Sequence, residues 1–139
     1  MPYVGKSTGG WQIIKTQKSN TMKVKDLMIG DWVLCPQQFN NWHRVTAIDG
    51  LDNEVETTSD LYDAEEISPI PLTPEILEKN GFVEQAFIQN SIWSISGFSL
   101  ECHFTTWEYY WANGDVTIGY VHELQHALRL CGIEKEIMI

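Results

Sequence analysis

Positive charge is scarce in this chain. Nine Lys and Arg stand against 19 Asp and Glu in 139 residues, a formal net charge of −10. Duplex binding depends on Lys and Arg replacing condensed counterions. A nucleic-acid partner is therefore disfavoured, and a basic protein or a metal ion suits the field better. Long apolar runs are also missing. No stretch approaches the ~20 apolar residues that cross a bilayer, and residues 1–21 hold no apolar core of a secretory signal. The expectation is a cytoplasmic protein with no membrane partner. Cysteine is sparse and scattered: Cys35, Cys102 and Cys131, with no CxxC pair. That excludes a disulfide framework and a zinc ribbon. No serine nucleophile elbow and no glycine-rich dinucleotide loop occurs. Gly5-Lys6-Ser7-Thr8 has the last letters of a P-loop, but the chain lacks the glycine five residues earlier and the strand before it.

Apolar residues make up 43% of the chain, enough for a packed core at this length. Residues 1–21 are polar, contain Gly5, Gly9 and Gly10, and show no sustained period. They read as a flexible leader, with Met22 a candidate natural start. Residues 22–68 read as closely spaced short strands: 32–35, 42–48, 55–58 and an acidic stretch 60–66. Asp49-Gly50 is a turn signal. The pattern points to a small SH3-like barrel. Pro69, Pro71 and Pro74 punctuate a linker. Residues 69–139 then read as an α+β lobe. Thr73 is a good N-cap, Pro74 suits the first helical position, and Asn80-Gly81 stops that helix. Strands are expected at 82–88, 92–95, 98–104, 105–111 and 116–120, with a hairpin at Asn113-Gly114. A final helix spans 121–130 and ends before Gly132. The fold class expected is thus α+β: a strand-rich SH3-like first half, then a small antiparallel sheet with a C-terminal helix.

The final helix carries His122-Glu123-Leu124-Gln125-His126, which has the letters of HExxH. A helix places residues i and i+4 side by side. His122 and His126 would then supply two nitrogens to one zinc, and Glu123 would act as general base on a zinc-bound water. The third ligand is hard to supply. Thirteen residues follow His126, none of them histidine, and Arg129 stands where the extended metzincin pattern has glycine. Peptide deformylases take a cysteine from an earlier strand, so Cys102 or His103 is the upstream candidate. The deformylase signature segments are absent, and neighbouring strand residues point to opposite faces. At ~100° per residue, Val121, Leu124, Leu128 and Cys131 form the apolar stripe. His122, Gln125, His126 and Arg129 are expected on a polar, solvated face. That is the preferred reading of HELQH.

Trp107, Tyr109 and Trp111 alternate along one strand face behind His103 and Thr105. Such a stripe either fills the core under the final helix or forms a binding surface for sugars or a protein. His43, between Trp42 and Arg44, reads as structural, and Glu65 and Glu66 as part of a solvated acidic run.

Three segments carry a resemblance. They are Lys25-Asp26-Leu27-Met28-Ile29-Gly30-Asp31-Trp32-Val33, then Ser68-Pro69-Ile70-Pro71-Leu72-Thr73 with Lys79-Asn80-Gly81-Phe82, then Tyr120-Val121-His122-Glu123-Leu124-Gln125. In this order they resemble an uncharacterised family of small proteins from gut Bacteroides-type bacteria and their phages or mobile elements. In that family the last segment commonly reads Tyr-Val-His-x-Leu-Gln, without the Glu and the second His. The resemblance implies no activity and no zinc site, and implies that residues 1–21 are an extension. The expected function is non-enzymatic protein binding, or an adaptor role, with no cofactor. The alternatives are a zinc-dependent hydrolase using HELQH and a carbohydrate-binding module using Trp107, Tyr109 and Trp111.

Overall fold

The structure is a computed structural model that describes residues 22–37, 41–104 and 109–139. The class is α+β: two antiparallel five-stranded sheets, with one main helix near the C-terminus. The chain divides into two compact units between Ile70 and Pro71. Among the described residues, no helix is long and apolar enough to cross a membrane.

The first unit opens with a 3₁₀ turn at Val24–Asp26 and continues as β1 (Trp32–Leu34), β2 (Trp42–Asp49), β3 (Glu54–Thr57) and β4 (Leu61–Asp63). A second 3₁₀ turn at Ala64–Glu66 leads to β5 (Ser68–Pro69). The order across the sheet is β4-β3-β2-β1-β5. Alternation buries Val33, Val45 and Val55 in one cluster with Met22, Leu27, Cys35, Ala64 and Ile67. The β1–β2 ladder is anchored by the turn before it. Gly30, at φ +96°, donates to Val45 O at 2.8 Å, and Val45 N returns a bond to Asp31 O at 2.9 Å. The fully buried Asp31 accepts from Met28 N through Oδ2 at 2.8 Å.

Two expectations change here. The SH3-like barrel is not confirmed: among the described residues no ladder joins β4 to β5, so the sheet is not closed. Both terminal strands are very short, and Pro69 lacks an N–H to extend a ladder. The expected linker also begins too early. Ser68 and Pro69 pair with Leu34 and Val33 as a sheet edge, a position that proline tolerates.

The second unit begins with α1 (Pro74–Lys79). Thr73 Oγ1 accepts from Ile76 N at 3.3 Å, and Pro74 occupies the first turn. Its end is a Schellman motif: Gly81 N bonds to Glu78 O, Phe82 N to Leu77 O, and Gly81 takes φ +85°. Then come β6 (Val83–Ala86), β7 (Asn90–Ile95), β8 (Phe98–Phe104), β9 (Tyr109–Asn113) and β10 (Val116–Thr117), in order β10-β9-β8-β7-β6. Ser96 and Gly97 both have positive φ between β7 and β8, the pattern of a type I′ hairpin. In the β9–β10 hairpin Asn113 pairs with Val116, so the loop is Gly114-Asp115, one residue later than expected.

One sheet face of this unit is dry. Directly opposed residues share a face, and Ser91, Trp93, Leu100, Cys102 and Trp111 are all buried along it. Trp93 and Trp111 meet edge to face at 6.3 Å, and Phe82 meets Phe98 the same way at 6.5 Å. The last helix, α2 (Val121–Leu130), also ends in a Schellman motif at Gly132, φ +73°, with Ile133 N on Leu128 O at 2.9 Å. The chain end returns to α1: the Asn80 amide donates to Met138 O at 2.8 Å and accepts from Met138 N at 2.7 Å.

Gly81→Ala tests the Schellman end of α1. An added Cβ would meet Ile95 Cδ1 at 3.8 Å, an ordinary contact, so the cost is backbone conformation alone. A loss of about 1 kcal/mol in urea unfolding is expected. An unchanged midpoint would contradict the left-handed position.

Candidate functional site

The HELQH helix starts at a junction of three chain segments. Pro71 forms an isolated antiparallel bridge with Tyr120, and Leu72 N donates to Gly119 O at 3.1 Å. The Trp111 indole donates to Leu72 O at 3.2 Å, and Ile118 N donates to Trp111 O at 2.9 Å. Glu123 closes the junction. Its Oε1 accepts from Gly119 N at 2.8 Å and Tyr120 N at 3.1 Å. A carboxylate at the third helical position reaching back to the N-cap amide is half of a capping box, and it also favours the positive end of the helix.

His122 is buried, 6% exposed, with its ring parallel to Tyr120 at 6.0 Å. His126 is half-buried, and its ring meets His122 edge to face at 5.6 Å. The two rings are therefore neighbours, as the i, i+4 spacing requires. A third donor does not join them. Among the described residues, neither histidine belongs to a group of three close His, Cys, Asp or Glu donors. Among the described residues the one such group is Asp49, Asp52 and Glu54, from the end of β2 to the start of β3, where Asp49 Oδ1 already accepts from Leu51 N and Asp52 N.

The upstream candidates separate as strand geometry dictates. Cys102 lies on the dry face, fully buried. Burial pushes its thiol up, opposed by a hydrogen bond with Ser91 and reinforced by the Glu84 charge. His103 points the other way, 3.7 Å from the exposed Glu101 carboxylate. Cys35 is likewise buried, its thiol raised by burial against a bond with Thr57.

The polar side of α2 needs correction. His122 and Gln125 are buried beside Val121, Leu124 and Leu128, whereas Arg129 and Cys131 are exposed. At ~100° per residue, Gln125 sits about 40° beyond Val121, just outside the arc of Val121, Leu124 and Leu128. The buried arc is roughly 160° wide and reaches His122. HELQH is thus no solvated face.

Trp111 is 2% exposed on the dry face, which removes it from any exposed aromatic stripe. The Tyr109 backbone pairs with Phe104, and Trp107 lies outside the described residues. His43 joins a polar network on the first unit: Nε2 contacts Gln37 Oε1 at 2.7 Å and Nδ1 contacts Thr58 Oγ1 at 3.0 Å. Gln37 in turn donates to Ser59 Oγ at 2.5 Å. This ties β2 to the β3–β4 turn.

Exposed apolar side chains were missed in the sequence. Val83 is 68% exposed, Phe87 49% and Ile88 101%, on and just after the edge strand β6. The available signal was a nearly uncharged run, residues 80–92, with Glu84 alone ionised. The comparisons with known proteins find no matching family model, no matching curated protein and no matching solved structure.

The capping role of Glu123 makes a specific prediction. Glu123→Ala should lower stability by about 1 kcal/mol, while Glu123→Gln, which keeps the accepting oxygen, should retain most of it. Thermal unfolding of the three proteins reads this. Equal stability in all three would contradict the cap.

Proposed function

We propose that this chain is a non-enzymatic binding protein that acts through contact with another protein. The observation that carries the reading is the exposed apolar group Val83, Phe87 and Ile88 beside the open β6 edge. Apolar side chains gathered on an edge strand mark a place where another chain adds. The helix motif supports the same reading from the other direction. Glu123 serves the helix start, so a zinc-bound water would have to compete with two backbone amides for it. The SH3-like description of the first unit, a phage or mobile-element origin and membership of the Bacteroides-type family belong to this proposal. The quoted segments fall on the Met28–Asp31 turn, β5, both ends of α1 and the start of α2. They are therefore segments that build turns and caps.

The neighbouring rings of His122 and His126 favour one second reading, a zinc hydrolase with Glu123 as base. It requires a ligand from outside the described donors and release of Glu123 from its cap.

The test is capture by the tagged full chain, offered a lysate of Bacteroides-type cells and an untagged second copy, beside a Val83→Glu/Phe87→Asp variant. The expected result is a stoichiometric partner retained by the parent and lost by the variant, with circular dichroism unchanged. Retention of the same proteins by both, or of none, would contradict the reading.

A further inference from the structure

Among the strands at the sheet ends, β6 is the least protected. Proteins guard edges with proline, lysine, bulges or very short strands. The β5 edge has Pro69, and β10 is two residues long. The β4 edge is three residues and ends in Asp63. By contrast β6 has four residues, no proline and no lysine, and pairs with β7 in unbroken register. All four residues are exposed.

The hydrogen-bond phase of β6 fixes what its free side can do. Phe87 N donates to Asn90 O at 2.8 Å, so this pair faces β7. Alternation then turns the amides and carbonyls of Gln85 and Val83 toward β7, and those of Glu84 and Ala86 outward. An antiparallel copy must pair outward residues with outward residues. A two-fold axis between such strands therefore passes through a residue, never between two.

Of the four residues of β6, an axis at Val83 would need the Phe82 N–H, already given to Leu77 O, so three axes remain and chemistry separates them. An axis at Glu84 sets Glu84 against its own copy, a like-charge pair. An axis at Ala86 sets Glu84 against Ile88 and Gln85 against Phe87. An axis at Gln85 sets Val83 against Phe87, Glu84 against Ala86 and Gln85 against Gln85. Only this last register places apolar on apolar at both ends and keeps the acidic side chains from facing each other. The segment Val83-Glu84-Gln85-Ala86-Phe87 is self-complementary in that sense.

We propose that a second copy of this chain docks antiparallel on β6, with the two-fold axis at Gln85, joining two five-stranded sheets into one. This rests on the protein-binding reading above and names its partner. Each Glu84–Ala86 pair exchanges two backbone hydrogen bonds. Val83 and Phe87, both exposed in the single chain, cover each other across the seam.

The test uses the full chain with Cys131, the exposed thiol, replaced by Ser. Across the axis Gln85 is a non-hydrogen-bonded pair, with Cα atoms about 4.5 Å apart, within the disulfide range. Gln85→Cys should cross-link into a covalent dimer under mild oxidation, and Glu84→Cys should not. Light scattering should give twice the chain mass for the parent. Ala86→Pro removes only an outward N–H, so it should give the single-chain mass with unchanged circular dichroism. A parent that stays at single-chain mass at its highest soluble concentration overturns the proposal. So does a dimer in which Glu84→Cys cross-links as fast as Gln85→Cys. If the chain is single yet captures a partner that Val83→Glu/Phe87→Asp loses, self-pairing fails while the binding reading stands. If no such partner appears either, both fail.

Discussion

A helix cannot begin without partners for its first amides, and in this protein one carboxylate helps to solve that problem for the second unit. Glu123 Oε1 holds Gly119 N and Tyr120 N. Those two residues also receive the Pro71–Leu72 segment, by a bridge to Tyr120 and a bond to Gly119 O. Leu72 O in turn receives the Trp111 indole. The cap, the entry segment and the buried face of β9 are therefore one connected hydrogen-bonded construction. The letters of HExxH arise inside it: the Glu stands where a capping box needs it, and the first His lies buried against Tyr120. Chemistry at this helix would require undoing its own start.

The proposed function then lies at the sheet. Strand alternation collects Trp93, Leu100, Cys102 and Trp111 on one face. That leaves the opposite face and the β6 edge to meet solvent. The strand has neither the proline of β5 nor the brevity of β10, and its exposed side chains are apolar at both ends. An edge of that composition is open to pairing, which is the activity proposed for it.

Much of the element order was legible because its signals are local. Thr73-Pro74 and Asn80-Gly81 bracket α1, and Gly132 closes α2, each for a backbone reason that a single residue reveals. Strand edges that depend on a distant partner were not. Pro69 read as linker, since nothing local says that β1 offers an edge requiring no N–H there. The cap by Glu123 was masked by Tyr120, which is no usual N-cap residue, although the Glu three positions later was visible. Burial of Gln125 and of His122, about 40° and 100° beyond Val121, depends on how wide the covered arc is. The open form of the first sheet was not readable at all. Short strands and turns specify a twisted sheet, and closure depends on whether its terminal strands are long enough to pair.

The central claim is that HELQH is a structural helix start. The most direct measurement is a zinc titration followed by the imidazole resonances of His122 and His126, beside hydrogen exchange at Gly119 and Tyr120. This account predicts that both rings stay unmoved through one equivalent of zinc and that both amides stay protected. Joint slow-exchange shifts of the two rings at one equivalent, with loss of protection at Gly119 and Tyr120, would contradict it.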